Sequence, residues 1–366
     1  MSAGPVRRGR PRWCTSGPAR LGAVGAGLAI LAAACSSHQR ALPVTTTSAP
    51  TTSTTVAATT TTSPPLPVLP LTGIGRPSAS QLRAPAVVVK IDNVDAARPQ
   101  TGLGQADVVY EEMVEGGLTR LAAVFQSVYP AVAGPVRSGR LTDEGIADDL
   151  NHPVYVFSGT NAIFLPVLVG QPVIAVYQMN HPEMFFRYGG NIPHNLYTSV
   201  SKVASLGRAT PPLPLFSFLS AGQPFGGGEA SPAASVAISF PAATATWTYS
   251  PAAHAWLRWQ NGTPDVDSTG RQIRADNVLV MFVSYVTSGV ATGEGVAPSP
   301  IPEAILTGAG PLWALSGPAL AKGTWARDSL PAAAVLTSAS GSELKLAPGR
   351  TWVELVPLGS TPAVTP

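Results

Sequence analysis

The chain has 366 residues, with 23 Lys or Arg against 20 Asp or Glu and a formal net charge of +3. Five of the bases (Arg7, Arg8, Arg10, Arg12 and Arg20) fall within residues 1–34, which hold no acid; without them 18 bases face 20 acids, a balance of −2. A weakly acidic body excludes nucleic-acid binding through global charge. The two cysteines, Cys14 and Cys35, lie in the leader and at its end, so the rest of the chain has no thiol for nucleophilic chemistry or for a disulfide.

In chain order, residues 1–34 read as an export signal. A basic start is followed by an apolar or Gly stretch over residues 21–34, about 14 residues, where a membrane-spanning helix needs roughly 20. The stretch ends Leu31-Ala32-Ala33-Ala34-Cys35. Small residues before a Cys resemble a bacterial lipobox, although Ala32 stands where an aliphatic residue is usual. The expectation is lipidation at Cys35 and an extracytoplasmic protein held to the cell membrane, with each buried CH₂ of the anchor contributing about 0.8 kcal/mol. Residues 35–70 are dominated by Thr, Ser and Pro. Such a run buries too little apolar surface to offset its ordering entropy and is expected to be a disordered stalk.

Residues 71–215 form the first predicted domain. Ala86-Val87-Val88-Val89-Lys90-Ile91-Asp92 is a β-branched run that predicts a buried strand. Residues 107–114 and 119–128 predict two more strands joined through Gly116-Gly117 as a hairpin. Residues 141–150 have helical spacing, residues 154–157 a short strand pattern, and Thr198 or Ser199 can cap a helix that follows. Residues 216–234, with Gly226-Gly227-Gly228, read as a linker. Residues 235–358 carry short strand patterns split by Pro and Gly, as in a sandwich or barrel, and residues 359–366 read as a disordered tail. The fold class expected is α+β, with a layered α/β N-terminal domain followed by a mostly-β C-terminal domain.

Several motifs together point to a family. They are Lys90-Ile91-Asp92-Asn93, Ala97-Arg98-Pro99-Gln100-Thr101-Gly102-Leu103 and Ala106-Asp107-Val108-Val109-Tyr110-Glu111. With them stand Val114-Glu115-Gly116-Gly117-Leu118-Thr119-Arg120, Gly134-Pro135-Val136-Arg137-Ser138-Gly139-Arg140 and Pro193-His194-Asn195-Leu196-Tyr197-Thr198. The chain resembles the YerB-like lipoproteins over most of residues 70–357, with weaker signatures at Ala275-Asp276-Asn277-Val278 and Gly323-Thr324-Trp325. That resemblance implies the two-domain architecture above and brings no established activity.

The polar residues of these motifs fall at strand ends, where α/β sheets bind ligands. Guanidinium groups suit bidentate recognition of phosphate or carboxylate, so Arg98, Arg120, Arg137 and Arg140, with His194, Asn195 and Tyr197, are the candidate ligand-binding residues. Asp92, Asp107 and Glu115 are the candidate ligands for a divalent cation such as Mg²⁺. Ordinary ion pairing among the same groups is the competing explanation. A more distant similarity, to the LytR-CpsA-Psr envelope ligases, implies Asp107 on a metal and Arg98, Arg137 and Arg140 clamping phosphates, although the Arg98–Asp107 spacing is looser here.

Other patterns carry less. Ser199-Val200-Ser201-Lys202 has the spacing of a serine–lysine enzyme without its Lys-Thr-Gly partner. Asp265, Asp267, Thr269, Gly270 and Asp276 fit a β-turn better than a calcium loop. Six tryptophans of the second region invite a glycan platform, but alternation along strands makes several of them core. Three readings stay open. One is an envelope-accessory protein binding an anionic envelope polymer or lipid-linked precursor. Another is a metal-dependent phosphotransferase or ligase on lipid-linked cell-wall precursors. The third is a β-domain that binds a protein or glycan.

Overall fold

The computed structural model describes residues 67–293 and 296–366, which belong to one contact unit. The signal, Cys35 and nearly all of the stalk lie outside them. The first strands are β1 (Val87–Asp92), β2 (Val108–Met113) and β3 (Thr119–Phe125), followed by helix α1 (Thr142–Ala147) and β4 (Val154–Phe157). Then come α2 (Leu165–Gly170), β5 (Ile174–Tyr177), the small pair β6 (Phe185–Arg187) and β7 (Leu196–Thr198), and α3 (Val200–Ala204). The remainder is strand: β8 (Ser231–Pro232), β9 (Ser235–Phe240), β10 (Ala243–Ser250), β11 (Ala255–Gln260), β12 (Thr263–Pro264) and β13 (Arg274–Ala275). After these run β14 (Asn277–Gly293), β15 (Val296–Ile305), β16 (Gly308–Ser316), β17 (Ala319–Arg327), β18 (Val335–Ser338), β19 (Thr351–Pro357) and β20 (Ala363–Thr365). The fold is therefore mostly strand in mixed sheets, with α-helices of five or six residues. None of the described helices is long and apolar enough to cross a membrane.

The main sheet has twelve strands, ordered β18-β17-β16-β14-β19-β2-β3-β1-β4-β5, with β15 paired to β14 and β8 to β17. It mixes hands: β1 runs antiparallel to β3 and parallel to β4, and β19 lies parallel to both β14 and β2. β19, close to the C-terminus, thus inserts beside β2 from the first predicted domain. The division near residues 215–235 marks no break in the sheet. A second, antiparallel sheet, β12-β11-β10-β9-β20 with β13 on β11, packs over one face.

β1 shows why its β-branched run is continuous. Val87, Val89 and Ile91 pack with Trp247, Trp256 and Ile238 of the second sheet, while Val88 faces Ile146, Leu150 and Tyr155 on the other side. A strand covered on both faces has no polar alternation. Lys90 interrupts the run, and its buried ammonium pairs with Glu112 and with Asp143 of α1, the latter at 2.7 Å. Burial, opposed by Lys90, pushes the Glu112 carboxyl up to about 7.

Three boundaries differ from the sequence expectation. Leu69, assigned to the stalk, is buried beside the equally buried Leu71. The linker is packed rather than free: Phe216 and Ala233 are buried, and β8 pairs with β17. The tail is not disordered, because β20 pairs with β9 through Ala363↔Ala237. In each case a few apolar or β-branched side chains in a polar or Gly-rich stretch find a partner distant in sequence.

Candidate functional site

The chain leaving β3 crosses back beneath the end of β1. The Asp92 N–H donates to the Pro135 carbonyl and the Arg137 N–H to the Lys90 carbonyl, which sets Arg137 beside Asp92. Asp92 is also the register partner of Arg120 at the start of β3. Between β2 and β3 the turn at Glu115-Gly116-Gly117 relies on glycine: both glycines have φ near +70°, and a Cβ on Gly117 would come 2.6 Å from Pro241. That turn points Glu115 at Arg140, just before α1. His194 arrives on the loop between β6 and β7, and Ala291 and Ser299 arrive from the β14–β15 hairpin.

These elements enclose an open cleft of about 530 Å³. Three guanidinium groups line it. Arg140 is the most constrained: Nη2 and Nε grip both Glu115 oxygens at 2.6 and 3.1 Å, and Nη1 donates to the Gly139 carbonyl. Arg120 donates to the Ser138 carbonyl and lies 4.0 Å from Glu115. Arg137 Nε sits 3.0 Å from Asp92 Oδ2 but without the alignment of a hydrogen bond, and the side chain is 24% exposed. Asp92 Oδ2 also accepts from His194 Nδ1 at 2.8 Å, so the Nδ1 of His194 carries a proton and its Nε2 is left without a protein partner.

Three arginines face two carboxylates, a formal excess of one positive charge. Burial pushes the Arg120 guanidinium down to about 10, and the like charge of Arg140 adds to it. Burial alone would raise the Glu115 carboxyl, but Arg140 outweighs it and holds that group below the usual range. The walls between the charges are apolar, with Val94, Val114 and Leu118. Such a site presents fixed donors to an anion in a partly desolvated hollow, where charge-assisted hydrogen bonds are strongest.

Of the predicted site residues, Arg120, Arg137, Arg140, His194, Asp92 and Glu115 come together. Arg98 does not. Its Nη2 donates to Asn93 at 2.7 Å and its Nη1 to Asp265 at 2.8 Å, which ties it into a buried network. Asn195 fastens its own loop, accepting from Arg187 and donating to the Gly189 carbonyl. Tyr197 stacks on Phe186 with ring centres 6.1 Å apart. Neither Asn195 nor Tyr197 lines the cleft.

The three metal candidates are not brought together. Asp107 sits at the opposite end of β2, where Oδ2 accepts from the Gln126 and Ser127 N–H groups at 2.6 and 2.7 Å. Asp92 is engaged by the Arg137 and His194 side chains and Glu115 by those of Arg140 and Arg120. Among the described residues no group of three or more His, Cys, Asp or Glu is placed to hold a metal ion. The separation of Arg98 and Asp107 from the cleft also removes the constellation implied by the envelope-ligase similarity.

Sequence reasoning missed the buried network behind the cleft. Arg258, fully buried, contacts Glu111 at 2.5 Å and Asp265, and its guanidinium carbon lies 4.7 Å over Trp352. Burial works against the charged Arg258, but Glu111 and Asp265 outweigh it and raise its pKa. Glu354 accepts from Trp247 Nε1 at 2.7 Å; burial, then the Glu111 charge, raises its carboxyl well above the usual range. Breaking one partner of such a cluster typically costs about 3–5 kcal/mol. Trp247, Trp256, Trp325 and Trp352 are all buried, which takes them out of any glycan platform.

A mixed sheet with an arginine-lined cleft at one strand end defines a mostly-β protein with few and short helices. Family models described as "Protein of unknown function (DUF3048)" match the chain over residues 71–211, N-terminal domain, and 236–353, C-terminal domain. The chain belongs to this family. It is similar to "Putative lipoprotein YerB" of Bacillus subtilis (strain 168), 48% identical over 71 residues. That stretch is 19% of this chain and 21% of the relative's length. The crystal structure of the YerB protein from Bacillus subtilis matches with a TM-score of 0.67 at 23% identity, covering 81% of this chain and 99% of that one.

Proposed function

We propose that this chain is an extracytoplasmic lipoprotein, anchored through Cys35, that binds a phosphate- or carboxylate-bearing envelope ligand in the Arg120–Arg137–Arg140 cleft. The observation that carries the reading is the excess of guanidinium groups over carboxylates in an open hollow. Full pairing within the protein would have left no such excess. The relative named as a lipoprotein supports the anchored location. Cys35→Ser should shift the protein from the membrane to the soluble fraction; unchanged membrane association would remove the anchor from the account.

The cleft is tested by thermal unfolding of the purified protein with phosphate, pyrophosphate, citrate and teichoic-acid fragments, each with and without Mg²⁺. A ligand at 100 times its Kd stabilises by about 2.7 kcal/mol. The expected outcome is a rise with at least one anion that does not require Mg²⁺. No rise with any anion contradicts the reading.

A further inference from the structure

A second arginine-bearing hollow lies at the other end of the same sheet. Gly104 and Gln105 precede β2, Arg274 begins β13 just before β14, and Arg350 immediately precedes β19. The first cleft lies beyond the far end of β2. Six residues of strand at about 3.3 Å each separate the two by roughly 20 Å. With Leu257, Ala253, Asp267, Arg271 and Gln272 these residues enclose about 590 Å³, within the size range of small-molecule sites.

The arginines here are less engaged than those of the cleft. Arg271 Nε donates to the Thr269 hydroxyl, and the hydrogen bonds of Arg350 are made by its backbone, the N–H to Asp276 and the carbonyl from the Asp276 and Asn277 N–H groups. Among the described residues the guanidinium groups of Arg271, Arg274 and Arg350 form no salt bridge; every ion pair uses other bases. The acid among the lining residues, Asp267, spends Oδ1 on the Thr269 N–H and hydroxyl within its turn. Of the lining residues three are bases and one is an acid, while Asp276 and the buried Asp107 sit behind Arg350 and act on it from outside the groove, in a chain of which only 12% is charged. Incidental clustering of unpaired arginines is disfavoured at that density, because like charges repel and ordinary surfaces intersperse the two signs.

We propose that this groove is a second binding site, separate from the cleft, for the phosphate monoester of a small polar molecule. A monoester carries nearly two negative charges at neutral pH, which guanidinium groups without a salt bridge of their own can meet. Planar guanidinium forks take its oxygens. Gln105 and the free Gln272 carbonyl oxygen can meet hydroxyl groups, and Leu257 with Ala253 supplies an apolar patch for a sugar-type ring.

The test is calorimetric titration of the whole purified protein with glucose 1-phosphate, inorganic phosphate and glucose. The variants are Arg274→Ala/Arg350→Ala and, separately, Arg137→Ala in the cleft. Both arginines of the double variant are at the surface or half-buried, so the fold should survive; a thermal midpoint close to wild type verifies this. The expected result is that glucose 1-phosphate binds at least threefold tighter than inorganic phosphate, that glucose does not bind, and that the double variant loses at least tenfold. Arg137→Ala should leave a groove-dependent component intact. Binding unaffected by the double variant, or no binding of either phosphate, overturns the proposal. Equal affinity for ester and inorganic phosphate overturns the assignment of an ester. Since the cleft and the groove share no residue, failure of one leaves the other standing.

Discussion

Asp107 and Asp92 are both acids beside predicted strands, and only their partners separate their roles. Asp107 faces two backbone N–H groups and the Ser127 hydroxyl on the chain leaving β3. Burial raises its carboxyl, and those same hydrogen bonds oppose the shift. Its work is to satisfy buried donors. Asp107→Ala should therefore cost about 3 kcal/mol, since bonds to a charged acceptor contribute roughly 1.5–3 kcal/mol and the orphaned donors add to the loss. Anion affinity in the Arg120–Arg137–Arg140 cleft should not change. Chemical denaturation read together with ligand titration checks both halves, and a lost affinity with unchanged stability would return Asp107 to a functional role. The sequence could not separate the two acids, because Gln126 and Ser127 lie 19 and 20 positions away. Arg98 escaped for the same reason, with Asp265 at 167 positions.

Local elements were legible where the signal was local. The β-branched run of β1, the Gly-Gly turn between β2 and β3, and the Ser199 cap of α3, which accepts from the Lys202 N–H, all follow from neighbouring residues. Arg120, Arg137, Arg140 and His194 shared a position at element ends, and that common placement is why they could be grouped from sequence. The long strands were harder. The short patterns expected over residues 235–358 give way to long strands, 17 residues in β14 and nine each in β16 and β17. Their sequences are rich in Ala, Gly and Pro, which have low strand propensity. They are held instead by register, as in Gly308↔Arg327 through Ser316↔Ala319. Residues 343–346 form isolated bridges at Glu343 and Leu346 rather than a strand.

At the scale of the molecule the arrangement is one sheet with a charged hollow at each end and ionic clusters buried between. Burial of those clusters has a consequence for stability. Desolvation, opposed by Arg327 and reinforced by Asp148, pushes Asp149 up to about 7; Glu112 is likewise near 7. An unfolded carboxyl titrates near 4, so between about 4 and 7 the folded protein holds more protons than the unfolded one. Their contribution to stability is complete below about 4 and is lost as pH rises through about 7. The unfolding midpoint should fall between pH 5 and pH 8, and Asp149→Asn should flatten part of that fall. A midpoint rising over the same interval would show that these groups stay ionised in the fold.

The central claim is that the Arg120–Arg137–Arg140 cleft receives an anion, and amide chemical-shift mapping during a pyrophosphate titration locates it most directly. The account predicts shifts at Gly116, Thr119, Arg137 and Ser138 that saturate, with affinity weakened at least tenfold in Arg137→Ala, equivalent to about 1.4 kcal/mol. Shifts confined to residues outside the cleft, or an affinity indifferent to Arg137→Ala, would contradict it.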